Sequence, residues 1–154
     1  MSPQKSSLTL LIEHEEAISR LYNAYAEKLT EHKEFWATLA WEELDHAERI
    51  RKLSQYIEQG HARFNADKFN PIVIRTSMEY IAKELRSAEN EDISMKKALA
   101  VALNIEKAII DGQVFEAFKG FTAEAREFIR ACVKNFEEHY QAIQEMWSTH
   151  RTFS

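Results

Sequence analysis

The stretch Leu39-Ala40-Trp41-Glu42-Glu43-Leu44-Asp45-His46-Ala47 sets a glutamate and a histidine three residues apart inside an apolar rhythm. A helix that packs inward repeats its apolar residues at alternating spacings of three and four, so Trp36, Leu39, Glu43, His46, Ile50, Leu53 and Ile57 share one face. Acids on such a face need a reason, because burying an unpaired carboxylate is costly. The same anomaly recurs on both sides of this stretch. Upstream, Leu8, Leu11, Glu15, Ile18, Tyr22, Tyr25 and Leu29 form a row with Glu15 inward and Glu13 and Glu16 off it. Downstream, Leu99, Leu103, Glu106, Ile110 and Gln113 hold one acid, and Ala125, Ile129, Cys132, Phe136, His139, Ile143 and Met146 hold one histidine. Three carboxylates and two imidazoles are thus predicted to converge from four helices.

The 154 residues suit one domain spanning 1–154, and 45% apolar with 29% charged residues is ordinary globular usage. Three glycines and two prolines are too few for the turns of a sheet protein, which makes the chain all-α. Helices are predicted at about 6–29, 32–59, 72–88, 93–118 and 122–147. The serines at 6 and 7, Pro71 and Thr122 serve as entries, and Thr30, Gly60, residues 90–92 and Gly120 as breaks. The layout is two helical hairpins joined by a long crossover that contains a short helix, as in four-helix bundles with one long connection.

Charge and cysteine content narrow the partners. With 20 basic against 25 acidic residues, a net charge of −5 and no basic run, nucleic acid is excluded. Cys132 is the single cysteine, so no disulfide, redox cysteine pair or cysteine-based metal site can form within the chain. Met1 to Ile12 reads as neither signal peptide nor membrane span, and the expected setting is cytoplasmic, without a membrane partner. Phe35, Trp36, Trp41, Phe64, Phe69, Phe115, Phe118 and Phe121 exceed what one inner seam needs, from which a homodimer is expected.

Carboxylate oxygens and imidazole nitrogens suit iron, manganese and zinc, and Glu and His three apart on a helix can grip one ion. One Glu from each of two helices plus Glu-x-x-His from the other two is the donor set of di-iron and di-manganese bundles. Glu15, Glu43, His46, Glu106 and His139 fill five of its six positions. The structural alternatives are a salt-bridged surface pair for Glu43 and His46, a phase error that puts Glu15 and Glu106 outside, and a hydrogen-bonded core role for His139. Tyr22 either packs or hydrogen-bonds a ligand carboxylate from outside. His14, His32, His61 and His150 lack partners in the pattern and are expected in solvent, and Cys132 reads as inert core.

Glu15 with Tyr22 one heptad on, Tyr25-Ala26-Glu27-Lys28 and the 39–47 stretch together resemble the first half of rubrerythrin-like members of the ferritin-like superfamily. Ala98 to Glu106 and Phe136-Glu137-Glu138-His139 resemble the second. Glu15 to His46 spans 31 residues and Glu106 to His139 spans 33, as in a duplicated hairpin. The resemblance implies a ferritin-like four-helix bundle with Glu15 and Glu106 as terminal ligands, Glu43 bridging, and His46 and His139 as one nitrogen ligand each. It implies one or two iron ions, with manganese or zinc as substitutes. The implied activity is that of a di-iron oxidoreductase of peroxidase or ferroxidase type, acting on peroxide, dioxygen or ferrous iron with an external electron donor. The departure is Phe136, where the pattern has the second bridging glutamate; Glu137 and Glu138 lie about 100° and 200° around the helix from that slot. The alternatives are a metal-binding or sensing protein with a degenerate site, and a structural interaction module.

Overall fold

The computed structural model describes residues 2–153, with side chains described as far as residue 150. Five helices carry nearly all of it: α1 (Pro3–Lys28), α2 (Lys33–Glu58), α3 (Pro71–Asn90), α4 (Met95–Asp111) and α5 (Ala123–Phe153). Two three-residue strands, β1 (Ala62–Phe64) and β2 (Phe118–Gly120), interrupt an otherwise helical chain.

Side chains meet the unpaired N–H groups at most helix starts. Ser2 accepts from the Lys5 N–H, Asn70 from Ile72, Ser94 from Lys97 and Thr122 from Ala125. Ser2 followed by Pro3 starts α1 three residues before the predicted entry, because proline at the first helical position has its backbone angle already set. After Glu58, Gly60 turns with φ of 79°, which ends α2.

The fourth helix departs most from its prediction. Its apolar rhythm runs on to Phe118, yet α4 stops at Asp111, and Gln113 takes a left-handed φ of 51° that costs a side-chain-bearing residue about 1–2 kcal/mol. The chain then passes through a 3-10 turn, Val114–Ala117, into β2. Here the apolar residues serve a strand contact instead of a helix: Phe118 pairs with Phe64, Lys119 with Arg63 and Gly120 with Ala62 in antiparallel register. The Phe64 and Phe118 rings lie 4.9 Å apart. At Gly120 a Cβ would sit 2.7 Å from the Arg126 backbone nitrogen, so only glycine lets β2 run this close to the start of α5.

α1 lies against both α2 and α3, and α5 packs on α4 and α2. One apolar cluster runs through these contacts, including Ile18 and Leu21 from α1, Leu53 from α2, Ile81 from α3, Leu99 from α4 and Ile143 from α5. Burial of each such side chain contributes about 1.5–3 kcal/mol, enough in sum to hold polar groups inside the same core. The aromatic surplus shrinks in this packing. Trp36, Phe64, Phe69 and Phe118 are buried within the chain and Phe35 and Phe115 pack against its core, while Trp41 and Phe121 stay exposed. Among the described residues no helix is long and apolar enough to cross a membrane.

Candidate metal centre

Glu15 and Tyr22 sit on α1, Glu43 and His46 one turn apart on α2, Glu106 on α4 and His139 on α5. All six are buried, none of them more than 3% exposed. The inward rhythm of four separate helices thus delivers three carboxylates and two imidazoles to one place in the core. They fall into two groups of three, Glu15 with Glu43 and His46, and Glu43 with Glu106 and His139; within each, one donor atom per residue lies within 4.8 Å of the others. Glu43 belongs to both.

His46 presents Nδ1 to the first group, 3.3 Å from Glu43 Oε2 and 3.5 Å from Glu15 Oε2. His139 presents Nε2 to the second, 2.7 Å from Glu43 Oε1 and 3.0 Å from Glu106 Oε1. The Tyr22 hydroxyl donates to Glu106 Oε1 at 2.9 Å. Such an outer hydrogen bond fixes a carboxylate's orientation.

Burial pushes the Glu15 carboxyl well above the carboxylate range, with Glu43 adding to the rise. Burial, reinforced by Glu106, lifts Glu43 to about 8. Burial alone would raise Glu106 too, but the facing His139 overrides it and brings Glu106 down to about 2. Desolvation works against a charge on His139, and the Glu106 and Glu43 carboxylates outweigh it, holding the imidazole protonated well above its ordinary range. Protons thus supply the positive charge that three buried acids require. A divalent cation can replace them with better geometry, since it neutralises two charges at one point.

The donor set fits such an ion. Glu15 Oε2 is buried with no hydrogen-bond partner among the described residues, its nearest ionic neighbour being His46 Nδ1 at 3.5 Å, and an unsatisfied buried polar atom costs about 1–3 kcal/mol. Oxygen and nitrogen donors with no thiolate suit iron, manganese or zinc. Phe136 occupies the inward slot one turn before His139, its ring stacked on His46 at 3.8 Å and 19°. Glu137 and Glu138 are exposed, so neither fills that place.

Two residues near the centre escaped the sequence reading. Glu42, half-buried, lies 3.0 Å from His139 Nδ1 and completes that imidazole's hydrogen bonding. The Glu42-Glu43 doublet is the only signal for it, and the doublet does not say which acid faces which neighbour. His14 is a correction: expected in solvent, it is fully buried, with Nε2 2.8 Å from Ser77 Oγ, and burial pushes its pKa down to about 4. It belongs to the side of α1 that faces α3, and it repeats with Leu11, Ile18 and Leu21 at spacings of three and four. His61 is exposed, as expected, whereas His32 and His150 are half-buried, with their rings edge-on to each other. Cys132 is buried, and desolvation raises its thiol pKa, which keeps it protonated. No protein-family model matches the chain, and no curated protein or solved structure matches it.

Proposed function

We propose that this chain is a rubrerythrin-like, ferritin-like bundle of α1, α2, α4 and α5, with α3 in the crossover, that binds iron and uses it in redox chemistry towards peroxide or dioxygen. The observation that carries this reading is the sharing of Glu43 between two three-donor groups. A structural core does not need two such groups; a pair of ions about one carboxylate apart does. In this reading Glu15 and His46 would hold one ion and Glu106 and His139 the other, with Glu43 serving both. Bound ferrous iron would supply the electrons that reduce the oxidant.

The chain's own residues set the conditions for that step. Tyr22 holds Glu106 through its hydroxyl, and Glu42 holds His139 through Nδ1. Loading requires the protons on Glu15, Glu43 and His139 to leave, so metal affinity rises with pH. The buried setting excludes bulk water, which strengthens each ligand's pull on the cation. Electrons for repeated turnover come from an external donor, because one buried cysteine builds no second redox site in this chain. We assign the dimer contact to the α2 face that leaves Trp41 and Leu44 66% and 46% exposed.

Phe136 favours a second reading, a centre that binds or senses one ion without turnover. The two separate on metal content and spectroscopy of the protein as purified. Two irons per chain, with an oxo-bridge absorption band that is lost on reduction and restored by peroxide, support the redox reading. One redox-silent ion per chain supports binding alone, and no retained metal at any site removes both.

A further inference from the structure

An apolar cavity of about 270 Å³ opens where α4 breaks off, between the 3-10 turn and α5. Ile109, Val114 and Phe136 form its buried floor, and the half-buried Ile110, Phe115 and Val133 form its walls. Gln113, Glu116 and Glu137, all exposed, ring the mouth. The cavity is there because α4 ends one residue before the left-handed turn's neighbour Gly112 and the chain folds back through Gln113; a helix continued to Phe118 would place its side chains differently. An apolar floor with a polar rim is the composition of a small-molecule site.

Size and wall chemistry narrow the occupant. An apolar cavity of about 150 Å³ accommodates one benzene ring, so 270 Å³ has room for two fused rings. Phe115 and Phe136 meet edge to face, centroids 4.8 Å apart at 71°, and a third ring against them would extend the same packing. Two carboxylates at the mouth disfavour an anion and can accept from an N–H or O–H donor. We infer that this cavity binds an uncharged fused-ring aromatic molecule carrying one such donor, with one face against Phe136. The other side of Phe136 lies against His46 at 3.8 Å, so the bound ring sits one side chain away from the candidate metal centre. Binding itself does not depend on a metal; only the relevance of that proximity rests on the function proposed above.

Indole is the probe. Titrated into the full-length, metal-free, ¹⁵N-labelled protein, it should give saturable amide shifts at residues 109–116 and 133–137, at one molecule per chain. Val133→Trp, which fills the cavity from its half-exposed wall, should weaken this by about tenfold or more with the helical circular dichroism retained. On the wild-type protein, indole-3-acetate should bind about tenfold more weakly than indole, because its carboxylate meets Glu116 and Glu137. Absence of saturable shifts at those residues up to the solubility limit of indole overturns the inference, as does equal binding of indole-3-acetate. Folded Val133→Trp that binds as wild type also overturns it. Failure of the metal reading would instead appear as a chain that retains no iron while still binding indole.

Discussion

The two halves of the centre share Glu43 and differ in everything around it. In the half that holds His139, the two residues besides Glu43 each have an outside partner: Tyr22 donates to Glu106, and Glu42 takes the far nitrogen of the imidazole. In the half that holds His46, Glu15 Oε2 and His46 Nε2 have no hydrogen-bond partner among the described residues, and the imidazole leans on the Phe136 ring. Hydrogen bonds fix a ligand's direction, whereas stacking fixes only its plane. If the centre binds ions as proposed, the His139 half is the rigid one, and the His46 half is the less constrained.

Glu43→Ala breaks the comparison at its shared point and has the largest expected effect. It should abolish metal retention in both halves, read by metal analysis after gel filtration; Glu15→Ala should remove only the His46-half ion. Unaltered metal content in Glu43→Ala would rule out the constellation. Phe136→Glu erases the difference between the halves by restoring a carboxylate at the inward slot. Metal affinity and oxidation rate should rise by about tenfold or more, while the metal-free variant loses thermal stability, because a fourth buried acid adds self-repulsion. No change in affinity or rate would mean that position 136 does not face the ions.

Smaller changes sharpen the contrast. Tyr22→Phe and Glu42→Gln remove or weaken outer hydrogen bonds of the rigid half and should each lower the affinity of its ion by about tenfold. Both should leave the second ion's affinity nearly unaltered, as measured by competitive titration with a chelator. Equal losses in both halves would show that the two do not differ in the way described.

Acidity makes the most gradual effect. Glu43 is raised to about 8 in the folded chain, so between its ordinary range and pH 8 the native state holds a proton that the unfolded chain has lost. His139, raised by Glu106 and Glu43, likewise keeps its proton above the ordinary histidine range. In both cases the native state binds more protons, so metal-free stability falls as pH rises, by about 1.4 kcal/mol per pH unit for each such proton. Glu106, lowered to about 2, acts in the opposite sense only in acid, where its contribution is lost as pH falls below the carboxylate range. Urea unfolding at pH 6 and pH 8 should show the metal-free protein weaker at pH 8. With metal bound the slope should shrink, because the ion has already displaced these protons. A metal-free protein equally stable at both values would contradict the proton assignment.

The elements that were legible are those whose cause is local. Glu43 and His46 stand three apart on one helix, so their common direction follows from the helical repeat alone. Glu15, Glu106 and His139 interrupt apolar rows of regular spacing, and the structure buries all three. What escaped depends on which neighbour a helix meets. α1 packs on α2 and on α3, so its buried arc is wider than one seam and takes in His14. Glu42 finds its role only because α5 passes close enough for His139 to reach it.

The amino-acid order was enough to establish a mostly helical chain and to name the five acids and imidazoles of the candidate centre that turn inward, because periodicity is a property of a single helix and is written into its spacing. Packing of separate helices settled the rest: the pairing of those residues into two groups about Glu43, the burial of His14, and the early end of α4 at Asp111. At that last point the rhythm of Val114, Phe115 and Phe118 is equally compatible with a helix and with the strand contact it makes. The presence of β1 beside it, more than fifty residues away in the chain, selects the strand.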